Sequence, residues 1–297
     1  MTGKRMETLS VTGKPTEKPT GKRSGTPMGK VILVLSDGLR DDVSRECMGY
    51  LEHLVASGLA RRWTVVAELP TLSRPLYETI HTGLPPAAHG IVSNQQERMS
   101  EQPNLFGLTR AAGRTTAASA YWWFSQLYIS AGYDRILGRE VDDERSLIQH
   151  ARFYTEDATP DIETFQAGAM LALRHRPDYL LIHPMGVDAV GDREGGRAAS
   201  YLDQARLQDI ILANLMPGWL ELGYTVIVTA DHGVTDQGRH GGTSDAERRV
   251  PLYLIGALGR SGGDTLSDIP QCVVAPTVCW LLGVQPPETM RLPPLDV

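Results

Sequence analysis

The chain has 297 residues, 41% hydrophobic and 22% charged, with a formal charge of −6. That is enough apolar sequence for a large α/β core, in one big domain or two smaller ones. The negative balance argues against nucleic acid as the main partner.

Residues 1–27 carry +4, which leaves −10 for the rest. They are rich in Thr, Gly, Lys and Pro, with no aromatic residue and no apolar run. They read as a disordered tail. Lacking an apolar central region, they do not read as a secretory signal. The folded domain is expected over residues 28–297. "KVILVLSDG" (30–38) is a buried strand entering a turn. "DDVSRECMGYLEHLVASG" (41–58) repeats apolar residues at helical spacing and stops at Gly58. "RRWTVVAE", "RTTAASAY", "DYLLIHP", "YTVIVTAD" and "VPLYLIG" read as strands, and "PLYETIHTG" as a helix. "SYLDQARLQDIILANLMPGWLELG" is a long helix expected to bend near Pro217, and "DIPQCVVAPTVCWLLG" a terminal helix. Alternating strands and helices predict an α/β fold, a mostly parallel central sheet with helices on both faces. "CVVAPTVCWLLGV" is too short to span a bilayer, so no membrane partner is expected. The three cysteines, Cys47, Cys272 and Cys279, form no Cys-x-x-Cys and suggest reduced thiols in a cytoplasmic protein.

In an open parallel sheet, ligands bind beyond the carboxyl ends of the strands. Three strands end there in ligand-type residues. The first reaches Ser36-Asp37-Gly38, the "DYLLIHP" strand leads to Asp188 and Asp192, and the "YTVIVTA" strand ends in Asp231-His232 with His240 beyond. Taken singly, each has a plain explanation: a turn for Asp37, a solvated helix start for Asp188 and Asp192, a loop histidine for His240. Together they fall at one edge and predict a metal site. Asp236 is read as a polar turn residue. His89, in "PPAAHGIV", is read as making a structural hydrogen bond, and His53, His81, His150 and His175 as surface or packing residues in helical stretches. Ser73 stands beside a helix led by Pro75; it either caps that helix or presents its hydroxyl where anions bind.

"VILVLSDGLRDD", "PTLSRP", "TGLPPAAHGIVSNQ", "VDAVGD", "VTADHG", "GRHGG" and "VAPTVCWLLGV" occur in this order. The set resembles the alkaline phosphatase superfamily, nearest to its nucleotide pyrophosphatase/phosphodiesterase branch, over most of residues 28–285. The resemblance implies two divalent ions, usually zinc. One site would hold Asp37, Asp231 and His232, with Ser73 at the metal as the nucleophile. The other would hold Asp188, Asp192 and His240. Asn94 matches the asparagine that steadies the phosphate oxygens. Mixed Asp/His ligands suit zinc, and two cations can neutralise the attacking, leaving and equatorial oxygens of a phosphate ester together.

Three positions depart from the branch. Ser73 stands where threonine is usual. Arg74 replaces an aromatic that stacks on a nucleotide base, which implies an additional anionic group on the substrate. Asp192 replaces a histidine, which hardens that site toward manganese or magnesium; His183 is a substitute ligand. The short gap between His232 and His240 leaves a small substrate cap, expected from residues 95–160. The expected function is a two-metal phosphohydrolase that cleaves a phosphate mono- or diester through a phosphoseryl intermediate. Alternatives are a phosphonate hydrolase and a metal-poor binding protein of the same fold. A sulfatase is discounted because Tyr77 stands where its motif needs arginine, and a phosphomutase because no large cap is evident.

Overall fold

The computed structural model describes residues 29–256 and 262–296. The tail expected over residues 1–27 lies outside the described residues. The strands are β1 (Lys30–Leu35), β2 (Ala60–Val66), β3 (Thr116–Tyr121), β4 (Glu140–Asp142), β5 (His150–Tyr154), β6 (Tyr179–Ile182), β7 (Tyr224–Thr229), β8 (Arg249–Ile255) and β9 (Gly263–Pro270). They form one sheet in the order β4-β5-β3-β6-β1-β7-β8-β2-β9. Its centre is parallel: β1 lies between β6 and β7, and β3 between β6 and β5. β8 runs antiparallel to both β7 and β2, and β4 antiparallel to β5.

The helices are α1 (Asp41–Cys47), α2 (Gly49–Ala56), α3 (Ser73–Thr82), α4 (Pro86–His89), α5 (Leu105–Ala111), α6 (Trp123–Tyr128), α7 (Asp161–His175), α8 (Gly186–Glu194), α9 (Ala199–Glu221), α10 (Asp245–Arg248) and α11 (Val274–Leu282). α9 gathers α1, α2, α7 and α8 on one face; α11 gathers α3 and α5 on the other, where α6 packs on β3. Both faces of the central strands are therefore covered. This is why β1 and β7 read as unbroken apolar runs: Val31 to Leu35 and Val226 to Val228 have no exposed surface.

Several boundaries differ from the sequence reading. The helix expected over 41–58 breaks at Met48 into α1 and α2. α9 runs through Pro217 to Glu221. Residues 268–270 end strand β9 instead of opening the terminal helix. Three short strands of the sheet, β3, β4 and β5, come from within the stretch expected to form a cap, 95–160. His150 thus lies in a strand, not a helix. Among the described residues, no helix is long and apolar enough to cross a membrane.

Candidate metal centre

β1, β6 and β7 run parallel and end at the same edge. Asp37 follows β1, Asp231 and His232 follow β7, and Asp188 opens the first turn of α8 just after β6. Asp37, Asp231 and His232 have no exposed surface, and Asp188 is buried. A buried carboxylate is paired, bound to a cation or held neutral.

His232 organises the centre. Its Nδ1 faces the Gly233 carbonyl at 3.2 Å, and that bond makes Nδ1 the donor and leaves the Nε2 lone pair free. Nε2 lies 3.1 Å from Ser73 Oγ, 3.3 Å from Asp231 Oδ2 and 3.6 Å from Asp37 Oδ1. Neither of those carboxylate oxygens has a hydrogen-bond partner. The Ser73 hydroxyl can donate to Nε2, but the two carboxylate oxygens that crowd the same nitrogen have no donor of their own. A cation resolves that arrangement, and the donor set of two carboxylates and an imidazole fits a divalent ion.

The other oxygens are satisfied. Asp37 Oδ2 accepts from the Tyr77 hydroxyl and faces His183 Nε2 at 3.1 Å. Asp231 Oδ1 accepts from Gly38 N at 3.2 Å. Such outer contacts orient ligands and tune a metal. The sequence reading missed Tyr77; its signal is the i, i+4 spacing from Ser73, which places both on one face of α3. His183, proposed as a substitute at the Asp192 site, sits against Asp37 and hydrogen-bonds Tyr154 instead, so that assignment is corrected.

The second ligand group is adjacent. His240 stacks on His232, ring centroids 4.1 Å apart and 12° from parallel. Its Nδ1 bonds the Thr71 carbonyl at 3.0 Å, and its Nε2 lies 3.7 Å from Asp192 Oδ1. Asp188 Oδ1 has no partner. Ligand atoms of Asp188, His232 and His240 lie within 4.8 Å of one another, as do those of Asp37, Asp231 and His232. Asp192 stands at the rim, its side chain 47% exposed. Asp37 and Asp188 are on the same side: a Cβ placed on Gly38 would meet Asp188 at 2.8 Å.

The ionisation of these groups reflects their crowding. Burial opposes ionisation of Asp37, but the His183 hydrogen bond, the charges of His232 and His183 and the Tyr77 hydroxyl outweigh it and hold the carboxyl at about 2. Burial, then the charge of Asp37, pushes both Asp188 and Asp231 well above the usual carboxylate range. Burial and the neighbouring His240 push His232 down to about 4, so its ring is neutral near pH 7, as a metal ligand must be. Burial opposes protonation of His240, but Asp192 and Asp188 raise it to about 10.

Ser73 is the first residue of α3 and is not its cap; Leu72 precedes it in extended conformation. Thr71 is not equivalent: its hydroxyl donates to the Gly242 carbonyl and accepts from Gly241 N, fastening the His240 loop. Asn94 Oδ1 accepts from Arg74 N at 3.0 Å, leaving its amide NH2 group as the available donor beside the start of α3. Arg74 departs from its expected role. The guanidinium is fully buried, lies 4.5 Å over the Trp123 ring and donates to Gln126 Oε1. It supports the wall of the site and offers no exposed cation to a substrate. His89 makes the expected structural bonds, to Thr79 Oγ1 and from Ile91 N. Asp236 pairs with Arg40 in a turn.

A family model described as type I phosphodiesterase / nucleotide pyrophosphatase matches residues 31–245. The chain belongs to this family. Among curated relatives, the catalytic subunit of human GPI ethanolamine phosphate transferase 2 is 24% identical over 274 residues, covering 87% of this chain and 27% of the relative. A 2,3-bisphosphoglycerate-independent phosphoglycerate mutase from Haloquadratum walsbyi is 30% identical over 176 residues, covering 56% of this chain and 34% of the relative. The chain thus spans about a third or less of the length of these two relatives. Murine ectonucleotide pyrophosphatase/phosphodiesterase 5 shares the fold with a TM-score of 0.68 at 14% identity, covering 90% of this chain and 97% of that one. An inactive form of that protein in complex with AMP matches equally well, over 91% of this chain. The family model and these structures place the alkaline phosphatase-like α/β fold beyond the expectation drawn from sequence.

Proposed function

We propose that the chain is a two-metal phosphohydrolase in which Ser73 carries the phosphoryl group. The observation that carries this reading is the convergence of Ser73 Oγ and two partnerless carboxylate oxygens on His232 Nε2. Asp37, Asp231 and His232 would hold one ion beside Ser73, and Asp188, Asp192 and His240 the other. Divalent ions bound there, zinc foremost, would lower the pKa of the serine hydroxyl and of water and neutralise the phosphate oxygens.

Within the chain the roles divide as follows. Ser73 Oγ forms a bond to phosphorus while the ester oxygen departs, leaving a phosphoseryl enzyme. Water then adds to phosphorus and releases Ser73. The N-terminus of α3, with the Asn94 amide, would hold the non-bridging oxygens. Tyr77 and His183 fix Asp37, and Thr71 fixes the His240 loop, so the ligands are positioned before substrate arrives. The substrate is a small anionic phosphate or phosphonate compound. Burial of Arg74 removes the argument for a second anionic group on it.

The names of the curated relatives support a second reading, in which the phosphoryl group passes from Ser73 to an alcohol instead of water. The test is a metal-supplemented screen over phosphate mono- and diesters and phosphonates, with and without added alcohols, on wild type and Ser73→Ala. Metal-dependent release of phosphate, or of a phosphate monoester from a diester, that disappears in Ser73→Ala supports hydrolysis. Products esterified to the alcohol support transfer. Turnover that survives Ser73→Ala contradicts both.

A further inference from the structure

Asp142, His150 and His175 form a third group of ligand atoms within 4.8 Å of one another. It has no part in the centre described above. His150 opens β5 opposite Ala117, at the start of parallel strand β3. Asp142 pairs with it across the β4–β5 ladder, and His175 closes α7, just before β6 begins. The group therefore sits where the parallel strands start, at the edge opposite the Ser73 site.

Three elements meet there with suitable chemistry. The imidazoles of His150 and His175 stack at 3.7 Å, 19° from parallel. His150 Nδ1 lies 2.9 Å from Asp142 Oδ1. Arg152 binds the other oxygen of Asp142 at 3.2 Å, which fixes this carboxylate as a single-oxygen donor. Two imidazoles and one carboxylate, with bonds of about 2.0–2.2 Å, are a zinc donor set that leaves a fourth position for water. The last turn of α7 adds the negative end of a fifteen-residue helix, where cations are favoured.

We propose that Asp142, His150 and His175 bind a divalent transition ion of the zinc class, and that the ion fastens the sheet's edge strand β4 to the end of α7. The strand has only three residues and one neighbour, so a cross-link is what it lacks.

The test counts zinc retained by the full chain after dialysis against low-micromolar buffered zinc. It compares wild type with His175→Asn, and repeats the pair in an Asp37→Asn/His232→Ala background that removes ligands from the Ser73 centre. His175→Asn is expected to hold one equivalent fewer in both backgrounds, and His150→Asn to do the same. Zinc should raise the melting temperature of the Asp37→Asn/His232→Ala protein by more than that of the same protein carrying His175→Asn. An equal count with and without His175, in either background, overturns the proposal. Because the readout is a difference of one equivalent, it stands apart from the count at the Ser73 centre: loss of that centre lowers both members of each pair together.

Discussion

Gly38 tests how tightly the two ligand groups are packed together. Its φ is +73°, a left-handed conformation, and an added Cβ would lie 2.8 Å from the Cα, Cβ and Oδ1 of Asp188. The clash involves the Asp188 backbone, so a change of rotamer cannot relieve it. Restoring ordinary contact would need a shift of roughly 0.7 Å, well beyond the tolerance of about 0.2 Å in metal–ligand distances. Gly223 supplies a control: its φ is +82°, but nothing lies within 4 Å of an added Cβ. Gly223→Ala therefore bears only the left-handed backbone cost of about 1–2 kcal/mol. Gly38→Ala bears that cost and an overpacking term of about 1–3 kcal/mol. It should also lose zinc from the Asp188–Asp192–His240 group. Urea unfolding midpoints and zinc content of the three proteins measure both effects. If Gly38→Ala is no less stable than Gly223→Ala and retains wild-type zinc, the packing of Asp188 against the Asp37 turn is wrong.

Ser73→Ala should keep fold and metal but lose at least about 100-fold in kcat, whereas Thr71→Ala should leave Ser73 chemistry in place and loosen the His240 loop, read as weaker zinc retention. His183→Ala should weaken ion binding at the Asp37 group by about 10–100-fold, the usual scale for removing an outer contact of a ligand, measured by competition with a chromogenic chelator. His240 gives a pH signature: its pKa is raised to about 10, so its contribution to stability is full below its unfolded value near 6.5 and is lost as pH rises toward 10. Metal-free protein should therefore lose melting temperature across that window, and metal-loaded protein should not, because the bound ion holds His240 neutral. Asp192→His should raise zinc affinity and zinc-supported turnover and reduce any preference for manganese; unchanged affinity in both Asp192→His and Asp192→Ala would remove Asp192 from the ligand set.

The central strands and the Asp37, Asp188, Asp231 and His232 cluster were legible because burial on both faces leaves continuous apolar runs, and an acid or imidazole ending such a run stands out. β4, β5 and β9 were not legible. "EVD" is three residues long, "HARFY" alternates a basic residue into a short strand, and "GDTLSDIP" is a largely exposed edge strand whose polarity imitates a loop. β5 and β9 are held by partners distant in sequence, β3 and β2, and β4 is held only by β5. The misassigned roles have the same origin. Arg74 reads as a free cation until the Trp123 ring and Gln126, which come from another helix, are seen to enclose it. His183 reads as a substitute for Asp192 by proximity in sequence, but the β6 end aims it at Asp37.

Anomalous scattering at the zinc edge, from crystals of the zinc-loaded full chain, tests the central claim most directly. The account predicts two peaks about 4 Å apart beside Ser73, one bounded by Asp37, Asp231 and His232, the other by Asp188, Asp192 and His240. Absence of a peak beside Ser73 in crystals whose zinc content is confirmed by fluorescence would contradict it.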